Sequence, residues 1–163
     1  MNIIHPDKFC NIAPLFEGWD DVIVLSCLQG HMGQAWADNE DSPTVAKIES
    51  LGFCYVAGDA GSSQAKELLH QLSGGLELQL NSEAWHNLVM KEIDNKTYKF
   101  SRFKFKRDSK LFDKAKLQSY VQKLPEGYEM TLIDEGMFQH LPTLGWADYH
   151  CSQFYSFELF QKS

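Results

Sequence analysis

Two apolar stretches separated by a short polar turn place the tightest constraint on how this chain can fold. Residues 31–39 and 44–57 have the composition of β-strands. The connection over residues 39–43, Asn-Glu-Asp-Ser-Pro, consists of residues that favour turns. The sequence therefore predicts a β-hairpin in the first third of the chain.

Helix and strand patterns alternate on either side of this hairpin. Residues 18–30 fit a buried strand or a short helix, and Asp20 or Asp21 as N-cap with Gly30 after the end favours the helix. After the hairpin we expect a helix from Ser62 or Ser63 through Leu72, followed by a strand over 76–80. The next helix is expected to be capped by Asn81 or Ser82. Its inward face would consist of Trp85, Leu88, Val89 and Ile93.

The second half of the chain continues this alternation. Residues 98–107 are expected to form a strand with Phe103 and Phe105 on one face, and residues 128–133 a further strand. Between them, Asp113 is expected to cap the clearest helix of the chain. The apolar stripe of that helix consists of Leu117, Tyr120, Val121 and Leu124.

Together these elements predict one α/β (or α+β) domain over residues 1–163. Its sheet is expected to be mixed and largely antiparallel, with about five strands and with helices packed on it. A length of 163 residues suits one domain with a substantial core.

Net charge and hydropathy argue against two classes of binding partner, nucleic acids and membranes. The formal charge of −7 disfavours general attraction to nucleic acid or to anionic membranes. The longest apolar run, residues 22–28, is far shorter than the roughly 20 residues needed to span a bilayer, and residues 1–10 carry no export or organelle signal. We therefore expect a cytoplasmic protein without a membrane partner.

The titratable side chains do not form a recognisable catalytic or metal-binding pattern. The four cysteines lie far apart, and CxxC, HxH and HExxH spacings are absent, so no metal site is predicted. Cys27 and Cys54 lie in apolar runs and are expected to be buried thiols. Residues 148–151, Asp-Tyr-His-Cys, are nearly adjacent, but sequence neighbours rarely face one another, and no catalytic residue is assigned.

Two glycine-rich segments and one basic segment are the remaining candidates for ligand binding. Residues 30–33 and 58–61 are dense in glycine, but neither completes a phosphate loop, so both are interpreted as turns or caps. Residues 99–107 interleave cations with aromatic rings, as binders of single-stranded nucleic acid do. A half-buried strand with a solvated outer face predicts the same pattern, and the acidic net charge favours that second interpretation.

Several segments, read together, resemble a bacterial group of GNAT-type acetyltransferases with an extended N-terminal half. They are residues 28–39, 52–59 and 124–129, and the region from Trp146 through Phe154, Phe157 and Phe160 to Ser163. The similarity runs across nearly the whole chain. It implies that the chain is the N-terminal part of a longer GNAT protein.

The resemblance also implies an activity and its cofactor. Such proteins are N-acetyltransferases, in which a substrate amine attacks the thioester of acetyl-CoA, and an Arg/Gln-x-x-Gly-x-Gly/Ala loop grips the coenzyme pyrophosphate. That loop is not found here, so this chain alone is expected to carry no cofactor-binding residue, to bind no acetyl-CoA and to be inactive. Trp36, Trp146 and Tyr149 are proposed to lie near the substrate cleft.

Aromatic residues concentrate near the last residues of the sequence and indicate an interface. Tyr149, Phe154, Tyr155, Phe157 and Phe160 would lie on more than one face of a helix, which then needs cover on both sides. The partner is expected to be a downstream GNAT domain or a second copy. Two alternative functions follow: a non-catalytic binding or dimerisation module, and, less favoured, a single-stranded nucleic-acid binder that uses residues 99–107.

Overall fold

A five-stranded sheet organises the chain. The computed structural model describes residues 1–93, 96–103, 105–106, 108–141, 154 and 156–162. The strands are β1 (Asn2–Ile4), β2 (Gln34–Ala37), β3 (Val45–Ser50), β4 (Phe53–Gly58) and β5 (Glu77–Gln79), in that spatial order. The helices are α1 (Phe9–Ile12), α2 (Val22–Leu28), α3 (Ser63–His70), α4 (Glu83–Glu92), α5 (Lys114–Val121), α6 (Glu135–His140) and α7 (Phe157–Lys162), with 3-10 turns at Pro6–Lys8, Ala13–Phe16 and Ser109–Leu111.

The pairing of the strands confirms the predicted fold class. β1, β2, β3 and β4 pair antiparallel in succession, whereas β5 pairs parallel with β4. The parallel pair is connected by α3, as a parallel connection requires a crossover. The result is a mixed, largely antiparallel α/β sheet.

The predicted first hairpin forms between β2 and β3. Asn39 Oδ1 accepts hydrogen bonds from the backbone amides of Asp41 and Ser42, each at 2.9 Å. Asp38 accepts from the amide and the hydroxyl of Thr44 at 2.9 and 2.6 Å. These side chains satisfy the backbone of the turn, which is why Asn and Asp predict it well.

The expectation of a single strand over 44–57 is wrong, because a second hairpin divides that stretch. Leu51 and Gly52 separate β3 from β4 and have φ angles of +54° and +81°. A two-residue hairpin turn of this kind requires positive φ at both positions. Leucine rarely adopts that conformation, so the apolar run gave no sign of the break.

The helix starts follow the predicted caps. The side chain of Asp21 accepts a hydrogen bond from the amide of Ile23 at the start of α2. Ser62, Ser82 and Asp113 cap α3, α4 and α5 in the same way. Residues 18–30 therefore form a helix rather than a strand.

The sheet separates two apolar layers. Alternate residues of β3 and β4 point to opposite faces, as the pleat requires. Helices α1 and α2 cover one face, and α3 and α4 cover the other. The α3 and α4 layer buries Val45, Cys54, Val56, Leu68, Leu69, Trp85, Leu88, Val89 and Ile93, and the opposite layer buries Ile4, Phe9, Ile12, Phe16, Val24, Cys27, Ile48 and Tyr55.

Two predicted strands are absent from the described part of the second half. Residues 98–103 and 105–106 form no ladder, and Phe103 and Phe105 are 95% and 91% exposed instead of facing a core. Residues 128–133 are also irregular and mostly exposed. Alternation of apolar residues gives a strand only where another strand supplies hydrogen bonds, and no described strand does so here.

The helices of the second half bury no hydrophobic core among the described residues. α5 is present as predicted, yet Leu117, Tyr120, Val121 and Leu124 are all exposed. α6 and α7 pack against each other through aromatic rings, with 5.2 Å between the centroids of Phe138 and Phe160. Tyr149 and Tyr155, predicted for the terminal helix, lie outside the described residues.

No helix among the described residues has the length and apolarity needed to cross a membrane.

Candidate functional site

Trp36, which the sequence predicts near a cleft, contacts a lysine on the neighbouring strand. Trp36 of β2 lies opposite Lys47 of β3 in the strand register. The Nζ atom of Lys47 lies 4.4 Å from the centroid of the indole ring. A cation over an aromatic ring contributes about 0.5–2 kcal/mol, more when the pair is shielded from water. One face of Trp36 is therefore occupied by a charge of the same chain.

Lys47 is paired as well as stacked. It is only 7% exposed, and its ammonium forms an ion pair with Glu49, two residues along the same face of β3. A nearly buried cation requires such a partner. Trp36, Lys47 and Glu49 thus form a cluster of charged and aromatic side chains on β2 and β3, and we refer to them as the Trp36 cluster.

Sequence analysis missed two members of this cluster, although a signal was present. Residues 45–49, Val-Ala-Lys-Ile-Glu, place two opposite charges at alternate positions of an apolar strand. Alternate positions share one face, so the charges can pair on the sheet. The other two residues predicted for the cleft, Trp146 and Tyr149, lie outside the described residues.

The two buried cysteines do not supply a nucleophile at neutral pH. Burial raises the pKa of Cys27 to about 12. Burial, assisted by the charge of Glu49, also raises the pKa of Cys54 to about 12. The thiolate is the reactive form, so both side chains remain inert thiols. Cys10 is exposed, and residues 148–151, which include Cys151, lie outside the described part of the chain.

The turn between β4 and α3 is the described segment that most resembles a phosphate cradle. It leads from a strand into a helix, where backbone amides commonly bind anions. Here Asp59 Oδ1 accepts from the amide of Gly61 at 2.8 Å, and the carbonyl of Asp59 accepts from the amide of Ser62 at 3.2 Å. Ser62 Oγ in turn accepts from the amide of Ala65 at 3.1 Å.

These contacts do not suit a coenzyme pyrophosphate. The amides of Gly61, Ser62 and Ala65 already bond to side chains and carbonyls of the turn, and the Asp59 carboxylate places negative charge beside them. Gly58 has φ +101° and packs against the backbone of Thr44, which accounts for a glycine there. The described residues therefore do not fit the phosphates of acetyl-CoA at this turn.

The histidines are distributed over separate environments. His70 contacts Glu92 at 3.3 Å on the surface of α3 and α4, and His86 contacts Lys99 at 3.3 Å. His31 Nδ1 is buried without a hydrogen-bond partner. Among the residues that the structure describes, no three His, Cys, Asp or Glu side chains come close enough to hold a metal ion.

The basic segment predicted as a strand lies beside β5 instead. Arg102 forms an ion pair with Glu77 of β5, and its guanidinium lies 5.1 Å from the ring of Phe53. Lys99 contacts α4 through His86. The segment therefore forms one wall of a cavity against β5 and α4.

Comparison with known proteins identifies a matching family model and a solved structure with a similar fold. Residues 13–163 match the family model described as GNAT acetyltransferase. The crystal structure of a GCN5-related N-acetyltransferase-like protein from Streptococcus suis 89/1591 is similar, with a TM-score of 0.72 and 27% sequence identity. The similarity covers 96% of this chain and 62% of that chain, so this chain spans less than two thirds of the solved relative. No curated protein matches the sequence.

Proposed function

The chain belongs to the GNAT acetyltransferase family, and from this premise we propose that it is the acceptor-side or structural domain of an acetyl-CoA-dependent N-acetyltransferase, inactive alone. In this proposal it forms the N-terminal part of the complete enzyme. The family supports the reaction class, which is acyl transfer to an amine.

The contacts within the β4–α3 turn carry the proposal. Asp59 and Ser62 already bond to the amides of Gly61 and Ala65, and the Asp59 carboxylate opposes a second negative charge there. Acetyl-CoA supplies the acetyl thioester when it is bound, and its phosphates require a backbone cradle. We therefore assign coenzyme binding to a part of the complete protein other than the described residues of this chain.

Two further observations support a role as part of a larger assembly. The chain spans 62% of the similar Streptococcus suis protein. Its described second half exposes apolar side chains that a globular protein normally covers, including the stripe of α5. A downstream GNAT domain or a second copy of the chain would cover them.

The role proposed for Trp36, Trp146 and Tyr149 is to border the acceptor. Trp36 has one ring face occupied by Lys47, so an acceptor would contact its edge or its other face. Glu49 adds a carboxylate near the same ring, through its ion pair with Lys47. Lys47 already neutralises that carboxylate, so the ring rather than a charge is the part of the cluster that we assign to acceptor contact.

Calorimetric titration of the purified chain with acetyl-CoA tests the absence of a coenzyme site. We expect no heat of binding at millimolar coenzyme and no acetylation of amine substrates. Tight binding by the wild-type chain would overturn the proposal. If that heat disappeared in Gly61→Pro, which removes one amide of the turn, the coenzyme would be assigned to the β4–α3 turn.

A second candidate function is a dimerisation module without catalysis. The observation that favours it is the exposed stripe of α5, because two copies could bury it against each other. Sedimentation would then show a dimer that dissociates in Leu117→Glu. The matched control is Gln118→Glu, which places the same charge at the adjacent exposed position of α5.

Nucleic-acid binding remains the less favoured alternative, although the structure removes one objection to it. The rings of Phe103 and Phe105 are exposed rather than buried, so they are accessible to bases. The net charge of −7 still opposes association with a polyanion. Binding of a labelled single-stranded oligonucleotide at low salt would support this function. That binding should weaken steeply with added salt and should be lost in the double variant Phe103→Ala with Phe105→Ala.

A further inference from the structure

We propose that the cavity between β5, α4 and residues 96–102 binds a small organic anion with an aromatic or apolar body. The cavity has a volume of about 530 Å³. Sites for small molecules commonly measure about 300–1,000 Å³, so the size suits a ligand of one or two rings. None of the lining residues belongs to the β4–α3 turn or to the Trp36 cluster, so the proposal does not rest on the acetyltransferase assignment.

The apolar part of the lining can receive a ring. The side chains of Tyr98 and Phe100 lie side by side, with ring centroids 5.8 Å apart and an interplanar angle of 34°. Aromatic rings attract further rings in offset-stacked or edge-to-face arrangements. Leu78, Leu80, Val89 and Met90 complete the apolar lining from β5 and α4.

The charged part of the lining carries an excess of cations. Among the described residues of the lining, the cations Lys96, Lys99 and Arg102 occur with a single carboxylate, that of Glu77. Glu77 is paired with Arg102, so the excess is provided by the two lysines. The net charge of the chain is −7, so this excess is local and not a property of the whole surface.

The contact between Lys99 and His86 indicates where an anion would form its strongest interaction with the cavity. A lysine ammonium can only donate, so His86 Nε2, at 3.3 Å from Lys99 Nζ, must be the acceptor of a neutral imidazole. A carboxylate or phosphate is a stronger acceptor for the same ammonium, because both partners are then charged. Entry of an anion therefore replaces a hydrogen bond that has one charged partner by a bond in which both partners are charged.

Arg102 has a different role, which is to hold the wall of the cavity in place. Its guanidinium pairs with Glu77 and lies 5.1 Å from the ring of Phe53 and 5.8 Å from that of Phe100. These contacts fix residues 96–102 against β5. The anion is therefore assigned to Lys96 and Lys99, and the ring to Tyr98 and Phe100.

Calorimetric titration with phenyl phosphate, inorganic phosphate and phenol separates the two parts of this recognition. We expect phenyl phosphate to bind at least about tenfold more tightly than either fragment, because only it uses both the lysines and the rings. Lys96→Ala combined with Lys99→Ala should weaken phenyl phosphate at least about tenfold. The control, Lys116→Ala with Lys123→Ala, removes the same charge from α5 and its end and should leave the affinity unchanged.

Methyl NMR supplies a readout that does not depend on the lysine variants. The methyl signal of Met90 can be assigned by its loss in Met90→Leu. It should shift on addition of phenyl phosphate, because Met90 lines the cavity. The methyl signal of Met130, which does not line the cavity, should not shift. Three results would overturn the proposal. They are no binding at millimolar phenyl phosphate, an equal loss of affinity in the cavity and control lysine variants, or a shift of the Met130 methyl signal without a shift of the Met90 signal.

Discussion

The hydroxyl of Tyr55 donates a hydrogen bond to the carboxylate of Asp21, with 3.2 Å between the two oxygens. The same carboxylate oxygen accepts from the amide of Ile23 at 2.9 Å and caps α2. Trp19 packs edge-on against Tyr55, with 5.3 Å between the ring centroids. One side chain of the central sheet thus fixes the start of a helix that covers it.

We expect Tyr55→Phe to lower the free energy of unfolding by about 1 kcal/mol, which is the net value of one hydrogen bond in a protein. The loss stays small because Asp21 keeps its bond to the amide of Ile23 and is not left without a partner. Urea denaturation of the variant and the wild type measures the difference.

Tyr128→Phe is the control for this measurement, because Tyr128 is exposed and the same oxygen is removed there. It should leave the free energy of unfolding within about 0.5 kcal/mol of the wild type. An equal loss in both variants would contradict the role assigned to the Tyr55 hydroxyl.

The Trp36 cluster gives a second prediction, which concerns Lys47. Lys47→Ala removes the cation from Glu49 and from the Trp36 ring and leaves a largely shielded carboxylate without its partner. Breaking a buried ion pair on one side costs about 3–5 kcal/mol, and we expect a loss near the lower value because Glu49 retains some contact with water. Thermal and urea unfolding both report it.

A double variant and an exposed ion pair serve as controls for Lys47. Lys47→Met with Glu49→Gln removes both charges, so it should recover most of the lost stability. Lys66→Ala removes an exposed lysine, 4.0 Å from Glu92, and should cost less than about 1 kcal/mol. If the double variant were as unstable as Lys47→Ala, the unpaired Glu49 carboxylate would not explain the loss.

Gly58 gives a third prediction, because its Cα lies against another strand. A Cβ atom added there would lie 2.1 Å from the carbonyl oxygen of Thr44, and its φ of +101° is unfavourable for any other residue. We expect Gly58→Ala to lower the free energy of unfolding by about 3 kcal/mol or more. Gly74→Ala is the matched control, since nothing lies within 4 Å of its added Cβ and it should change stability little.

Local chemistry explains which parts of the fold could be predicted from the sequence. Asp21, Ser62, Ser82 and Asp113 cap their helices with their own side chains, so the signal and the structure lie within three residues of each other. The turn at Leu51 gave no such signal, because the pairing of β3 with β4 imposes its positive φ. The strand predicted over 98–107 is absent from its described residues for the same reason, since a strand depends on a partner strand distant in sequence.

The sequence predicted less of the candidate site than of the fold. Trp36 was identified as a large aromatic residue, but its contact with Lys47 depends on the register between β2 and β3, which no local pattern specifies. The cavity beside β5 was missed entirely, because residues predicted as a strand form its wall as an irregular segment. The roles of Trp146 and Tyr149 stay predictions.

The buried thiols give a fourth prediction, on the dependence of stability on pH. Burial raises the pKa of Cys27 and of Cys54 from 9.0 to about 12. In the unfolded chain these thiols ionise near pH 9, whereas in the folded chain they keep their protons. The unfolded state therefore binds fewer protons above about pH 9, and stability falls as pH rises from about 9 to about 12.

Two such thiols contribute a slope of at most about 2.7 kcal/mol per pH unit, because each proton contributes about 1.36 kcal/mol. Urea unfolding at several pH values between about 8 and 11, in the presence of a reductant, measures the total slope. Replacing both thiols, as Cys27→Ala with Cys54→Ala, should make the curve shallower, although other groups still titrate. Cys10→Ala removes an exposed thiol and should leave the slope unchanged. Equal slopes for the wild type and the double variant would show that Cys27 and Cys54 are not protected from ionisation by the fold.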